Sequence, residues 1–366
     1  MKKFLLLFAL CGLFSFQAKA EGEVTDKITI SELQNDEYGS FFTVSLEGCD
    51  IYYSALNIEI ELPEGMSIPE SEETNSGLDI WQCEDSPLFI SGRKKASFDM
   101  AISFGAKGER VLAVVFASIS GAQFLSTSGE LFDVYVKSPY MKPGVSYLKT
   151  INVNGSDKAG VLSILPTDSY PITIGDSREI SLNISATQQW NTCVLPFDAE
   201  LPEGVRAFEG SSISGDYLIL SEATSLQAFT PYILYAENGY EGTLSGTVDA
   251  EKYVTAATGA YLNGAIMPQE ITEGYVMQDK GQGDGMMFYN VNNRSFTIPS
   301  GKCWVSAAAG DAKAIRIGLG GTGIESLPSA SQTEEGEVYT LDGKRVQNPQ
   351  KGNVYIKGGK KVLYLK

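Results

Sequence analysis

With no histidine among its 366 residues, the chain lacks any Ser-His-Asp or Cys-His nucleophile system and any histidine-bearing metal site. Acid–base chemistry would have to come from its 45 aspartates and glutamates, above all as glycoside hydrolysis by two carboxylates roughly 5–9 Å apart. Glu84 and Asp85 beside Trp81, and Asp198 in "LPFDAELPEG", are the acids best placed near an aromatic ring, yet each reads as a turn or solvated-rim residue. Binding is the better expectation. A pyranose stacks its apolar face on an exposed ring while polar groups take its hydroxyls. Tyr52, Tyr53, Trp81, Tyr240 and Tyr261 are the candidate ligand-binding residues. Tyr52 and Tyr53 are neighbours, so on a strand one of them points outward. Tyr240 and Tyr261 stand beside glycine turns, whereas Trp190 and Trp304 lie in strand-like runs and read as core.

The elements that must position these residues repeat with a period of two. In "ALNIEIELPEG", Leu56, Ile58, Ile60 and Leu62 share one face while Asn57, Glu59 and Glu61 share the other, as a half-buried strand requires. "RVLAVVFAS", residues 110–118, is continuously apolar and predicts a central strand covered on both faces. "ELFDVYVK", residues 130–137, alternates again. Turn residues recur and no long helical period is present. The fold class is therefore all-β: two β-sandwich-like domains followed by a linker and a small C-terminal β module. The expected boundaries are a leader at 1–20, a first sandwich at 21–172, a second β domain at 178–318, a linker at 319–335 and a tail at 336–366. The glycines after "AIRIG" do not form a dinucleotide loop, because no helix and strand follow them. "KGQGDGMMF", around Asp284, offers one acid among glycines and reads as a hairpin turn, not a calcium loop.

The termini speak to address. Lys2 and Lys3 precede an apolar run from Phe4 to Phe16, and Ala18-Lys19-Ala20 offers the small-x-small pattern of a signal peptidase site, with cleavage expected after Ala20. That run is shorter than the roughly 20 residues a membrane-spanning helix needs, so no transmembrane segment is expected. The net charge is -17. Without the leader's three lysines it becomes -20, and without residues 337–366, which hold seven Lys or Arg against two acids, the body carries -25. Such a body repels nucleic acid and anionic lipid. Four cysteines follow the leader: Cys49, Cys83, Cys193 and Cys303. Export permits disulfides and three connectivities. Pairing Cys49 with Cys83 and Cys193 with Cys303 would keep each bridge within one domain, and free buried thiols are the alternative.

Two stretches resemble known families. "VYTLDGKRV" followed by "KGNVYIKGGKKVLYLK" resembles the C-terminal sorting domain of the type IX secretion system of Bacteroidetes. That resemblance implies a β tail read by outer-membrane export machinery, and a final location outside the cell or on the outer-membrane surface. "FFTVSLEGCDIYYSALNIEIELPEGMSI" and "RVLAVVFASISGAQFLSTSGELFDVYVK" resemble the cohesin family, a sandwich related to cellulose-binding modules, over residues 25–165. This implies a dockerin-type protein partner or a polysaccharide, no cofactor, and the structural calcium that some such sandwiches bind. A secreted or surface-displayed binding protein is the reading that results. An Asp/Glu glycosidase and a structural or adhesion component are its alternatives.

Overall fold

The computed structural model of the chain describes residues 26–48, 50–105, 110–118, 120–280, 285–306 and 312–319, with the strand residues 338–339, 345–346, 354–357 and 360–363 near the C-terminus. The leader, Cys49, Asp284 and the 320–335 part of the linker lie outside the described residues. The described residues contain strands and no α-helix. They divide into two compact units, residues 1–178 with 248–252, and residues 179–247 with 253–366.

The first unit begins with β1 (Lys27–Ile30), β2 (Ser40–Glu47), β3 (Tyr53–Glu61) and β4 (Ile80–Gln82). It continues with β5 (Asp99–Phe104), β6 (Val111–Ala117), β7 (Gly129–Val136), β8 (Gly144–Asp157), β9 (Leu162–Ile164) and β10 (Ser169–Ile174). One sheet runs β1–β2–β7–β4, and the other runs β9–β8–β3–β6–β5 with β10 also pairing β8. All these pairings are antiparallel. Alternation decides what each strand buries. Leu56, Ile58 and Ile60 of β3 and Leu112, Val114 and Phe116 of β6 enter one core with Phe42, Val44 and Leu46 of β2 and Phe132 and Val134 of β7. Phe116 and Phe132 meet there at 5.9 Å between ring centroids, joining the sheets from inside. The Tyr170 hydroxyl of β10 donates to the Ile28 carbonyl of β1 and links the sheets a second time.

β6 departs from its expectation. It is an interior strand, between β3 and β5, but only Leu112, Val114 and Phe116 are fully buried; Val111, Ala113, Val115 and Ala117 are half-buried. An uninterrupted apolar run does not require two covered faces, because small side chains on a solvated face cost little.

The second unit adds β11 (Ser177–Ile184), β12 (Trp190–Cys193), β13 (Arg206–Ser214), β14 (Tyr217–Ala223), β15 (Tyr232–Tyr235) and β16 (Tyr240–Thr247). It continues with β17 (Ala256–Thr258), β18 (Leu262–Ala265), β19 (Tyr275–Gln278), β20 (Met287–Asn290), β21 (Lys302–Val305) and β22 (Ala314–Leu319). Ten of these strands join in the order β12–β15–β13–β14–β22–β20–β19–β21–β18–β17, while β11 and β16 form a separate pair. β14 and β22 run parallel, which a hairpin cannot achieve and which here draws residues a hundred positions apart together. Near the C-terminus, β23 (Val338–Tyr339), β24 (Arg345–Val346), β25 (Val354–Lys357) and β26 (Lys360–Leu363) form a sheet ordered β24–β23–β25–β26.

Phe116 also packs on Phe89 and Phe124 at 5.9 and 6.3 Å, so its side chain is surrounded by rings that cannot collapse into its place. Phe116→Ala is expected to destabilise the first unit by about 3–5 kcal/mol in urea unfolding. Tyr38→Ala, at a residue 77% exposed, should leave the midpoint unchanged.

Candidate functional site

The residues picked out by type divide once their burial is known. Tyr53 is fully buried, and its hydroxyl donates to Asp26 Oδ2 at 2.8 Å; it is a core residue and is withdrawn from the ligand-binding set. Alternation carried back from Leu56, Ile58 and Ile60 would turn Tyr53 outward; the pairing with β8 slips by one residue between Ala55 and Tyr53, and this irregularity sends Tyr53 inward and leaves Tyr52 48% exposed. Trp81 is 38% exposed on β4. Tyr240 is half-buried and lies back over Gly242 of its own strand, where an added Cβ would meet its hydroxyl. Tyr261 is half-buried beside Gly210. The structure does not assemble these residues. In the first unit Tyr52 precedes β3 of one sheet while Trp81 lies on β4 of the other, and Tyr240 and Tyr261 belong to the second unit.

Two of the three acids weighed for catalysis are occupied. Glu84 pairs with Lys95 at 3.2 Å, both largely exposed, and Asp198 Oδ1 accepts from the Ala228 N–H at 2.7 Å. Among the described residues no three His, Cys, Asp or Glu side chains are grouped so as to hold a metal ion. The depression lined by Glu70, Ser71, Glu72 and residues 74–77 is open loop surface without an aromatic residue.

Cys83, Cys193 and Cys303 are free thiols, so neither bridge considered from the sequence is formed. Cys303 Sγ donates to the Cys193 carbonyl at 3.1 Å. Burial pushes the Cys193 thiol up to about 12 and Cys303 well above the usual thiol value, which makes both poor nucleophiles. Burial also lowers the pKa of neighbouring Lys302, whose Nζ donates to Asn191 Oδ1 at 2.7 Å. Trp190 is half-buried against Tyr235 at 4.7 Å, and Trp304 packs on a small core of Ala265, Val276, Val291 and Ile298.

Two surfaces of the first unit emerge from register. The outer face of β5–β6–β3–β8 is built of short side chains: Ala101 and Ser103, then Val111, Ala113, Val115 and Ala117, then Ala55 and Asn57, then Asn154 and Ser156. Glu59 stands within it, between Ala113 and Asn152, whose amide donates to Glu59 Oε1 at 3.0 Å; Asp99 stands opposite Ala117 at one corner, and Glu61 lies at the far end with Arg110 and Lys149 3.7 and 3.9 Å away. The outer face of β2–β7–β4 is different. Tyr135 stands opposite Phe41, and Asp133 stands between Thr43 and Trp81. The Tyr135 N–H donates to the Asp79 carbonyl at 3.0 Å, which brings Asp79 alongside. Sequence reading passed over Phe41 and Tyr135. In "SFFTVSLE" Phe42 shares its phase with Val44 and Leu46 and Phe41 shares the other with Thr43 and Ser45, and pairing with β7 then sets Phe41 beside Tyr135.

The carboxylates of this second face are anchored by its own donors. Tyr135 Oη donates to Asp36 Oδ2 at 2.6 Å, Thr43 Oγ1 to Asp133 Oδ1 at 2.6 Å and Trp81 Nε1 to Asp79 Oδ1 at 2.6 Å. The Tyr135 hydroxyl holds the Asp36 carboxyl below its usual range. Burial first, then Asp36, Asp133 and Asp79, push the Tyr135 hydroxyl well above the usual tyrosine value.

No protein-family model matches the sequence, and no curated protein matches it significantly. Solved structures similar to it include the cohesin module from a Clostridium perfringens family 33 glycoside hydrolase. That match has 15% identity, covers 42% of this chain and 98% of that one, and has a TM-score of 0.30. A non-cellulosomal cohesin from Archaeoglobus fulgidus matches at 15% identity over 40% and 92%, with a TM-score of 0.25. The full-length major pilin SpaD from Corynebacterium diphtheriae matches at 9% over 81% and 66%, with a TM-score of 0.28. At such scores the architecture rests on the chain's own strand register.

Tyr53 and Tyr135 keep their protons in the folded state through the range where unfolded tyrosines ionise, at about pH 10, so stability should fall as pH rises through it. Asp36→Asn removes a nearby negative charge and should lower the pH at which Tyr135 ionises. Phenolate difference absorbance would read this, with Tyr135→Phe assigning the signal.

Proposed function

We propose that this chain is a non-catalytic binding protein of the cell exterior that engages a protein partner through the outer face of β5–β6–β3–β8. The composition of that face carries the reading. Alanine, valine, serine and asparagine project little, so the four strands offer a smooth, half-exposed surface on which another protein can pack closely. Of its acids, Asp99 and Glu61 stand at its ends and Glu59 within it, where they steer association and set orientation. The resemblance of residues 25–165 to cohesins implies a partner of the same dockerin-like kind. Polysaccharide recognition has less support, because Tyr52, Trp81, Tyr240 and Tyr261 do not line up as a strip. The same proposal takes the leader and the basic C-terminal strands as export signals, the second being read by type IX machinery.

Crosslinking of the full chain on the cell surface, followed by mass spectrometry, would identify the partner. Val115→Arg should weaken that partner's affinity by at least about tenfold and leave thermal unfolding unchanged. An unaltered affinity would place the contact elsewhere, and release of sugars from any glycan would overturn the non-catalytic reading. Deleting residues 337–366 should leave the protein in the periplasm, as fractionation and immunoblotting would show.

A further inference from the structure

The Trp81, Tyr135 and Phe41 face takes no part in that proposal, and its chemistry is of another kind. Trp81 is 38% exposed. Phe41 and Tyr135 lie beside each other at 5.2 Å between centroids, and all three rings project from the same side of one sheet. Aromatic faces alone would suit a sugar, an apolar side chain or a cation equally well. What separates these is the inventory of hydrogen-bonding groups between the rings.

The side-chain donors set between the three rings are spent, while Ser45, in register with Glu130, and Lys137, two residues beyond Tyr135, lie outside that group. The indole N–H of Trp81, the phenol of Tyr135 and the hydroxyl of Thr43 each point at a carboxylate of the same face. What remains for a ligand is the negative faces of the rings and the unfilled lone pairs of Asp36, Asp79 and Asp133. Among the described residues no lysine or arginine forms an ion pair with these three acids. A sugar needs donors as well as acceptors, since its ring and hydroxyl oxygens must be satisfied too. Guanidinium and ammonium groups carry donors and no acceptor, gain from lying over a ring, and match the charge. A metal ion is the poorer fit, because the acids do not converge as a set of ligands.

We propose that the outer face of β2–β7–β4 is a second recognition site, for a basic peptide segment of a protein partner. An arginine or lysine side chain lies across Trp81 and Tyr135 with its N–H groups directed to Asp79, Asp133 and Asp36. The anchoring hydrogen bonds hold the carboxylates in place before the ligand arrives, which lowers the ordering cost of binding. Charge attraction makes the interaction weaken with salt.

The test is isothermal titration of the full chain with tetra-arginine and with tetra-citrulline, its neutral isostere, alongside a panel of neutral oligosaccharides. Saturable one-site binding of tetra-arginine and none of tetra-citrulline is expected. Trp81→Ala and the shape-conserving pair Asp36→Asn with Asp79→Asn should each weaken binding by about tenfold. Glu203→Gln with Glu237→Gln removes the same amount of charge from exposed positions in the other unit and should change it less than about twofold. Thermal unfolding of each variant separates lost binding from lost structure. Val115→Arg should leave tetra-arginine binding intact, so this site and the β5–β6–β3–β8 face fail or succeed separately. Equal losses in the control pair would reduce the effect to net charge and overturn the proposal. Equal binding of tetra-citrulline, or an oligosaccharide whose binding is abolished by Trp81→Ala, would also overturn it.

Discussion

The packing of two pleated sheets on a shared apolar layer is the constraint from which the first unit follows. Each strand can give that layer only every second residue. β3 and β6 must spend Ile58, Ile60, Val114 and Phe116 on it, and β2 and β7 must spend Phe42, Val44, Phe132 and Val134. The Phe116–Phe132 contact lies where these demands meet. Once the inner faces are committed, the intervening residues have no choice but to form two outer faces, and register fixes which residues become neighbours there.

Those outer faces inherit opposite chemistry from the same rule. On β6 the residues between the core positions are valine and alanine, so its side of the β5–β6–β3–β8 face is smooth, and the acids of that face come from Asp99 of β5 and Glu59 and Glu61 of β3. On β7 the residues between the core positions are Asp133 and Tyr135, and the partner strands add Thr43, Phe41 and Trp81. That face gathers rings and acids, and its donors bind its own carboxylates. Burial first, and then these acids, raise the Tyr135 pKa.

Catalysis has little to stand on in this arrangement. The missing histidines exclude the commonest acid–base groups. The buried thiols are pushed toward their protonated, unreactive form, and of the acids first considered beside aromatic residues Glu84 is held in a surface ion pair and Asp198 by the Ala228 N–H. What the first unit presents outside its core is two sheet faces of different composition.

The all-β class, the strands at residues 53–61 and 129–136, and the core membership of Ile58 or Val134 were legible in sequence, because period-two alternation encodes burial locally. Local patterning also told that one of Tyr52 and Tyr53 must face out. Alternation carried back from Leu56, Ile58 and Ile60 chooses Tyr53 as the outward one, and the register shift between Tyr53 and Ala55 reverses that choice, whereas Phe42 is marked as inward by its phase with Val44 and Leu46. The half-exposed side of β6 was likewise hidden, since valine and alanine look the same in sequence whether or not a layer covers them. Composition and alternation are properties of a segment, and by themselves they determined the class of fold and the poverty of catalytic groups. The neighbours of Trp81, by contrast, come from segments near residues 36, 41 and 133. Only antiparallel register between distant strands decides that those residues share one face.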